Sequence, residues 1–188
     1  MIIGVLKEPA FESRVSLLPE HFALLKKLKA EVWTESSAGD NAFAADEAYK
    51  KGGAEIMNRT DILQKADLVL SINLLTDADI SICRAKVLLG TFFPLFNVQQ
   101  VKDWAQKNFS IFSMDMLPRT TRAQSMDVLS SQANIAGYKA VLTAANLFPK
   151  YFPMFMTAAG SIPPAKVLIL GAGVAGLHQE LRDRAGRR

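Results

Sequence analysis

The sequence predicts an α/β protein: a doubly wound domain with a mostly parallel sheet, a long connecting helix, and the start of a second α/β unit. Three observations carry this. Short apolar runs alternate with amphipathic stretches as far as about Met116. The stretch from Ser125 to Phe152 keeps helical spacing longer than any other. Near the C-terminal end, the run Lys166–Leu170 leads directly into a glycine-rich turn. The predicted boundaries are 1–126 for the first domain, 127–152 for the connecting helix and 153–188 for the second unit.

Taken in order, "IIGVL" (2–6) reads as a buried strand, followed by the loop "KEPAFESRVSLLP". Pro19 suits the first turn of a helix, "EHFALLKKLKA", with Phe22, Leu25 and Leu28 on one face. "EVWTE" is the next strand, and a short helix after it closes at Gly52 and Gly53. "DILQKA" is helical, "DLVLSIN" and "VLLGTFF" are strands, "VQQVKDWAQKN" is a helix and "SIFSMDM" is a further strand. Strands separated by helices imply right-handed crossovers and a sheet covered on both faces. In the long helix, Ile135, Tyr138, Val141, Leu142 and Ala145 follow helical spacing, and small residues permit close packing. "MTAAGSIPPAK" reads as a loop, and "KVLIL" as the strand that opens the second unit.

Composition narrows the possible functions. Of 188 residues, 49% are hydrophobic and 21% charged, the balance of a folded globular protein. The net charge is +4, and the tail from His178 onward supplies half of it through four arginines set against Glu180 and Asp183. The body carries no basic cluster interleaved with aromatics, so no nucleic-acid partner is expected. The longest apolar runs are broken by glycine or proline and too short to span a bilayer, and no secretory leader opens the chain. The single cysteine, Cys83, excludes an internal disulfide and argues against a cysteine metal site. A cytoplasmic protein is expected, with no metal.

Three stretches could carry chemistry. Gly171-Ala172-Gly173-Val174-Ala175-Gly176 has the G-x-G-x-x-G spacing of a dinucleotide-binding Rossmann turn after a predicted strand. Its first glycine would allow the tight turn, its second the approach of a pyrophosphate, and its third close helix–strand packing. Upstream, "RTTRAQSMD" crowds Arg119, Arg122, Gln124 and Asp127 ahead of the long helix, with Ser130 and Ser131 just inside it. Forked donors and acceptors of this kind could grip a carboxamide and a ribose or phosphate, but from chemistry alone a helix N-terminus with capping Ser and Asp and solvated arginines is the favoured reading. Third, Lys7, Glu8, Glu12 and Arg14 follow the first strand, where open α/β sheets bind ligands. They read either as a site or as an ion cluster fixing the loop. His21 and His178 have no visible catalytic partner, so no catalytic acid, base or nucleophile is assigned.

Together these stretches resemble one family. "GVLKEPAFESRVSLLPEHFALLKKL" is similar to the N-terminal signature shared by alanine dehydrogenases and the alpha subunit of proton-translocating NAD(P) transhydrogenase. "SMDMLPRTTRAQSMDVLSSQANIAGYKAV" and "AAGSIPPAKVLILGAGVAGL" resemble the transhydrogenase more closely, in the expected order. The resemblance implies an NAD(H)-binding component that dimerises outside the membrane, at its cytoplasmic face. It passes hydride to NADP+ held on a separate component, coupled to proton flow through a membrane component. It also implies that Arg119, Gln124, Asp127 and Ser130 contact or flank the nicotinamide, and that Gly171, Gly173, Val174, Ala175 and Gly176 form the pyrophosphate turn.

Departures from the family are equally specific. No lysine lies between Lys65 and Lys86 and no histidine between His21 and His178, where alanine dehydrogenases carry a substrate lysine and a catalytic histidine. After "GAGVAGL" the small apolar residues of the family give way to "HQELRDRAGRR", in which Leu177, Leu181 and Ala185 leave only a narrow apolar stripe. The chain is therefore expected to be a truncated form, inactive by itself. The alternatives are a non-catalytic domain acting through self-association or binding to a full-length subunit, and a diverged alanine or saccharopine dehydrogenase relative.

Overall fold

The computed structural model describes residues 1–176. The arginine-rich tail and its expected apolar stripe lie outside the described residues. The chain forms two compact units, Met1–Ala123 and a second that begins at Gln124.

The first unit is built on strands β1 (Ile2–Val5), β2 (Glu31–Glu35), β3 (Glu55–Met57), β4 (Leu68–Leu70), β5 (Val87–Gly90) and β6 (Ser110–Ser113). They form one sheet in the order β3-β2-β1-β4-β5-β6, and every neighbouring pair is parallel. Five helices lie along the crossovers: α1 (Phe22–Lys27), α2 (Asp46–Gly52), α3 (Arg59–Lys65), α4 (Asp77–Ile82) and α5 (Val98–Gln106). The strand order reverses between β1 and β4, and the carboxyl ends of such a pair border the crevice of a doubly wound sheet. The predicted α/β class with a parallel sheet is borne out.

Strand alternation sends successive side chains to opposite faces and so makes two cores. Ile3, Val5, Val32 and Leu70 pack with Phe22 and Tyr49 on one side. Leu6, Trp33, Val69 and Leu88 pack with Ile62, Leu63, Phe92 and Trp104 on the other. Each core holds one ring pair: Phe22–Tyr49 with centroids 5.7 Å apart, and Phe92–Trp104 edge-to-face at 5.5 Å. At Gly4, in the central strand, a Cβ would collide with the side chain of Ile62, so glycine lets α3 lie directly on β1.

Several elements differ from the sequence reading. β3 and α4 are absent from it because each is short: β3 has three residues, and α4 is an acidic segment of six. A local signal for α4 is present in the sequence, however. Thr76 and Asp79 form a reciprocal capping box, with Asp79 N donating to Thr76 Oγ1 and Thr76 N to Asp79 Oδ2, both at 3.1 Å. The helix expected after Pro19 is a 3-10 turn, Pro19–His21, running into α1, and it ends early at Lys27, two residues before Lys29 takes a φ of 55°. Phe22 is buried as expected, whereas Leu28 is exposed. Gly53, at φ 96°, closes α2 as read.

In the second unit, helix α6 (Val128–Leu147) stops before the predicted Phe152. Phe148 precedes Pro149 and is extended, because a proline ring crowds the helical conformation of the residue before it. Two corrections follow downstream. The expected loop at "MTAAGSI" is an antiparallel hairpin of β7 (Phe155–Thr157) and β8 (Gly160–Ile162). Thr157 Oγ1 closes its turn, donating to Gly160 O at 3.0 Å and accepting from Ala159 N at 3.2 Å. Conversely, the expected strand Lys166–Leu170 is not a strand: residues 163–172 carry no regular secondary structure. A strand exists only through hydrogen bonds to a neighbour, and among the described residues this run has none.

Candidate nucleotide-binding site

The crevice between β1 and β4 is closed by its own residues. The carboxylate of buried Glu8 accepts from Ile72 N at 2.5 Å, Asn73 N at 3.1 Å and Asn73 Nδ2 at 3.0 Å. It thereby ties the loop after β1 to the loop after β4. Arg14 donates from Nε and from its terminal nitrogen to Glu12 at 2.8 and 2.5 Å, which holds the Glu12 carboxyl down at about 2. Nearby, Arg59 grips Asp79 at 2.8 and 2.9 Å and Glu35 at 2.8 Å, and donates to Lys7 O at 3.1 Å. Of the two readings of Lys7, Glu8, Glu12 and Arg14, these contacts are those of a network that fixes the loop.

The "RTTRAQSMD" stretch straddles the two units. Arg119 is exposed and lies in the first unit, where Thr120 N donates to Pro118 O at 2.9 Å, just ahead of the turn closed by Ala123 N donating to Thr120 O at 3.0 Å. Gln124 is exposed and opens the second unit as the first residue of a short 3-10 turn. Asp127 is the N-cap of α6: its Oδ1 accepts from Ser130 N at 2.9 Å and its Oδ2 from Ser130 Oγ at 2.6 Å. Ser131 Oγ donates to Asp127 O at 3.1 Å. The fold thus joins Asp127 to Ser130 through a local turn whose chemistry is legible in the sequence.

Each of the three glycines in the turn meets a different backbone constraint. Gly171 has φ +111°, a conformation that disfavours any side chain. Gly176 sits so close that a Cβ would strike the Gly171 carbonyl, which makes the turn tight. At Gly173 a Cβ would meet nothing within 4 Å, so its main chain faces open space that a ligand can approach. Val174 to Gly176 are already helical, and amides at a helix start favour anions. The turn also rests against α6, where a Cβ on Gly137 would stand 2.5 Å from the Ala175 carbonyl oxygen. Sequence reasoning does not single out Gly137 as a site residue; its one signal is an isolated glycine inside a helical pattern.

The family model described as "Alanine dehydrogenase/PNT, N-terminal domain" matches residues 4–136. The chain belongs to this family. The corresponding C-terminal domain model, "Alanine dehydrogenase/PNT, C-terminal domain", matches residues 140–179. The chain is similar to the NAD(P) transhydrogenase subunit alpha of Cereibacter sphaeroides, at 41% identity over 88% of this chain and 32% of the relative. It is also 41% identical to the NAD(P) transhydrogenase subunit alpha of Haemophilus influenzae, over 94% of this chain and 35% of the relative. Among solved structures, a transhydrogenase from Sinorhizobium meliloti superposes with a TM-score of 0.92 at 39% identity, covering 99% of this chain and 56% of that one. The chain therefore spans about a third of these two alanine dehydrogenase/PNT relatives and just over half of the solved one. The resemblance to the transhydrogenase alpha subunit read from the motifs is borne out.

Proposed function

We propose that this chain forms part of the NAD(H)-binding component of an NAD(P) transhydrogenase, and that it binds NAD(H) through the Gly171–Gly176 turn. The single observation that carries the reading is the division of labour among the three glycines: a positive φ at Gly171 that only glycine takes readily, open space at Gly173 and close approach at Gly176. The cofactor supplies the hydride chemistry, and the protein supplies binding and orientation. Gly173, Val174, Ala175 and Gly176 would hold the pyrophosphate with main-chain amides. Arg119, Gln124, Asp127 and Ser130 would orient the nicotinamide end, with Asp127 and Ser130 already fixed by their shared cap.

On this reading NADP(H) sits on a separate component and proton flow on a membrane component. Among the described residues no helix is long and apolar enough to cross a membrane. The assignment is to a peripheral part on the cytoplasmic face, and turnover waits on those partners. Calorimetric titration with NADH and NADPH tests it. Saturable NADH binding with weak NADPH binding is expected, without hydride transfer until the NADP-binding component is added. A well-folded chain that binds neither nucleotide would overturn it. Copies are proposed to pair as a homodimer, since Ile135, Leu142 and Leu147 of α6 are 60%, 43% and 77% exposed. A monomer in sedimentation at all concentrations would remove that element of the proposal alone.

A further inference from the structure

We propose that Gly137 is a positioning residue for the glycine-rich turn, seating α6 against the main chain of Ala175 so that Gly173 stays open for NAD(H). This rests on the functional reading above and adds a residue outside the fingerprint and outside the nicotinamide loop.

The position is unusual for its helix. Glycine is the weakest helix former after proline, yet it stands in the interior of α6. It is also the one buried residue among the twenty of that helix. A Cβ here would lie 2.5 Å from Ala175 O, 3.0 Å from its Cα and 3.1 Å from its carbonyl carbon. All three are main-chain atoms, which cannot swing aside as a flexible side chain would, so added bulk at 137 must move either the helix or the turn.

The turn has little freedom to absorb such a push locally. Ala175 immediately precedes Gly176, which is itself packed on the Gly171 carbonyl. It follows Gly173 by two residues, so displacing it tilts the open edge where a pyrophosphate would lie. The N-cap Asp127–Ser130 belongs to the same helix, about 15 Å from Gly137 along its axis at 1.5 Å per residue. The contact at Gly137 therefore sets the spacing between the cap, which the functional reading places at the nicotinamide, and the turn it places at the pyrophosphate.

The test compares Gly137→Ala and Gly137→Val in the full chain with Ala140→Val, an exposed site on the same helix. Two readouts are taken: NADH affinity by calorimetry, and hydrogen exchange of amides 172–176 without nucleotide. We expect Gly137→Ala to weaken NADH binding about tenfold and Gly137→Val to weaken it further. Both should speed exchange in the turn while β1 and β4 stay protected, and Ala140→Val should change neither readout. If Gly137→Ala binds NADH like the parent, or leaves exchange in the turn unchanged, the positioning role is overturned while the NAD(H) reading stands. A parent chain that shows no saturable NADH binding removes both.

Discussion

Two apolar runs of equal length meet opposite fates in this chain. In the run Ile2–Leu6, residues Ile2–Val5 become the central strand of a six-stranded sheet with a parallel neighbour on each side, and Val5 and Leu6 are wholly buried. Lys166–Leu170 is also strongly apolar, yet it pairs with nothing among the described residues, and Leu168 and Leu170 are 84% and 89% exposed. An apolar run is thus a capacity for burial and not a strand. Burying one such side chain is worth about 1.5–3 kcal/mol, but only when neighbouring strands and covering helices remove it from water. The first unit supplies those neighbours by returning to β4 beside β1.

The sharpest way to break this comparison is to cut into the Phe92–Trp104 core of the first unit. Trp104 is buried and lies edge-on to Phe92. Trp104→Ala should therefore lower the unfolding free energy by about 3–5 kcal/mol in a urea titration. A loss no larger than that at an exposed site would show that the core is not what stabilises this unit.

An intermediate effect is expected from the charges that tie the carboxyl ends of the sheet together. Arg59 holds the Asp79 carboxyl below its ordinary value of 3.8, chiefly by hydrogen bonding, and Thr76 adds to the effect. A depressed carboxylate contributes stability that is complete above its unfolded pKa and is lost as pH falls through the lower folded one. The melting temperature should therefore fall below about pH 4. Asp79→Asn should cost about 1–2 kcal/mol at neutral pH and flatten that decline. Glu12, held at about 2 by Arg14, acts with the same sign between its ordinary 4.5 and that value, its effect reduced by water around the half-exposed Arg14 side chain. A melting temperature with the same acid dependence in Asp79→Asn would refute this assignment.

The smallest effect belongs to the second run. Leu168→Ala should change stability by no more than about 0.5 kcal/mol in the same urea titration, because little of the side chain leaves water. A loss approaching that of Trp104→Ala would mean that the run is buried in solution and would erase the contrast.

How much is legible in the sequence follows the same division. Features set within a few residues can be read: Pro19 opening a helical turn, Gly53 closing α2, and Asp127 as a candidate cap for α6. The hairpin β7–β8 escapes because its turn is Thr157-Ala158-Ala159-Gly160, without the Asn-Gly or Asp-Gly pair that announces such turns. Strand β3 escapes because three residues are too few for a period to show. In the candidate site, the spacing of Gly171, Gly173 and Gly176 is explicit. The seat of that turn on Gly137 is not, because it joins residues far apart in the chain.

The sequence by itself determined the α/β class, the parallel sheet, the family motifs and the local caps. All of these depend on side-chain period, backbone dihedral preference and hydrogen bonds that reach only three or four residues. Tertiary structure alone decided that Glu8 would tie the loops across the crevice together, that Ile2–Val5 and not Lys166–Leu170 would be a strand, and that Gly137 would touch Ala175. Each of those outcomes needs a second segment brought alongside the first, and the free energy that selects it comes from excluded water and close atomic contact.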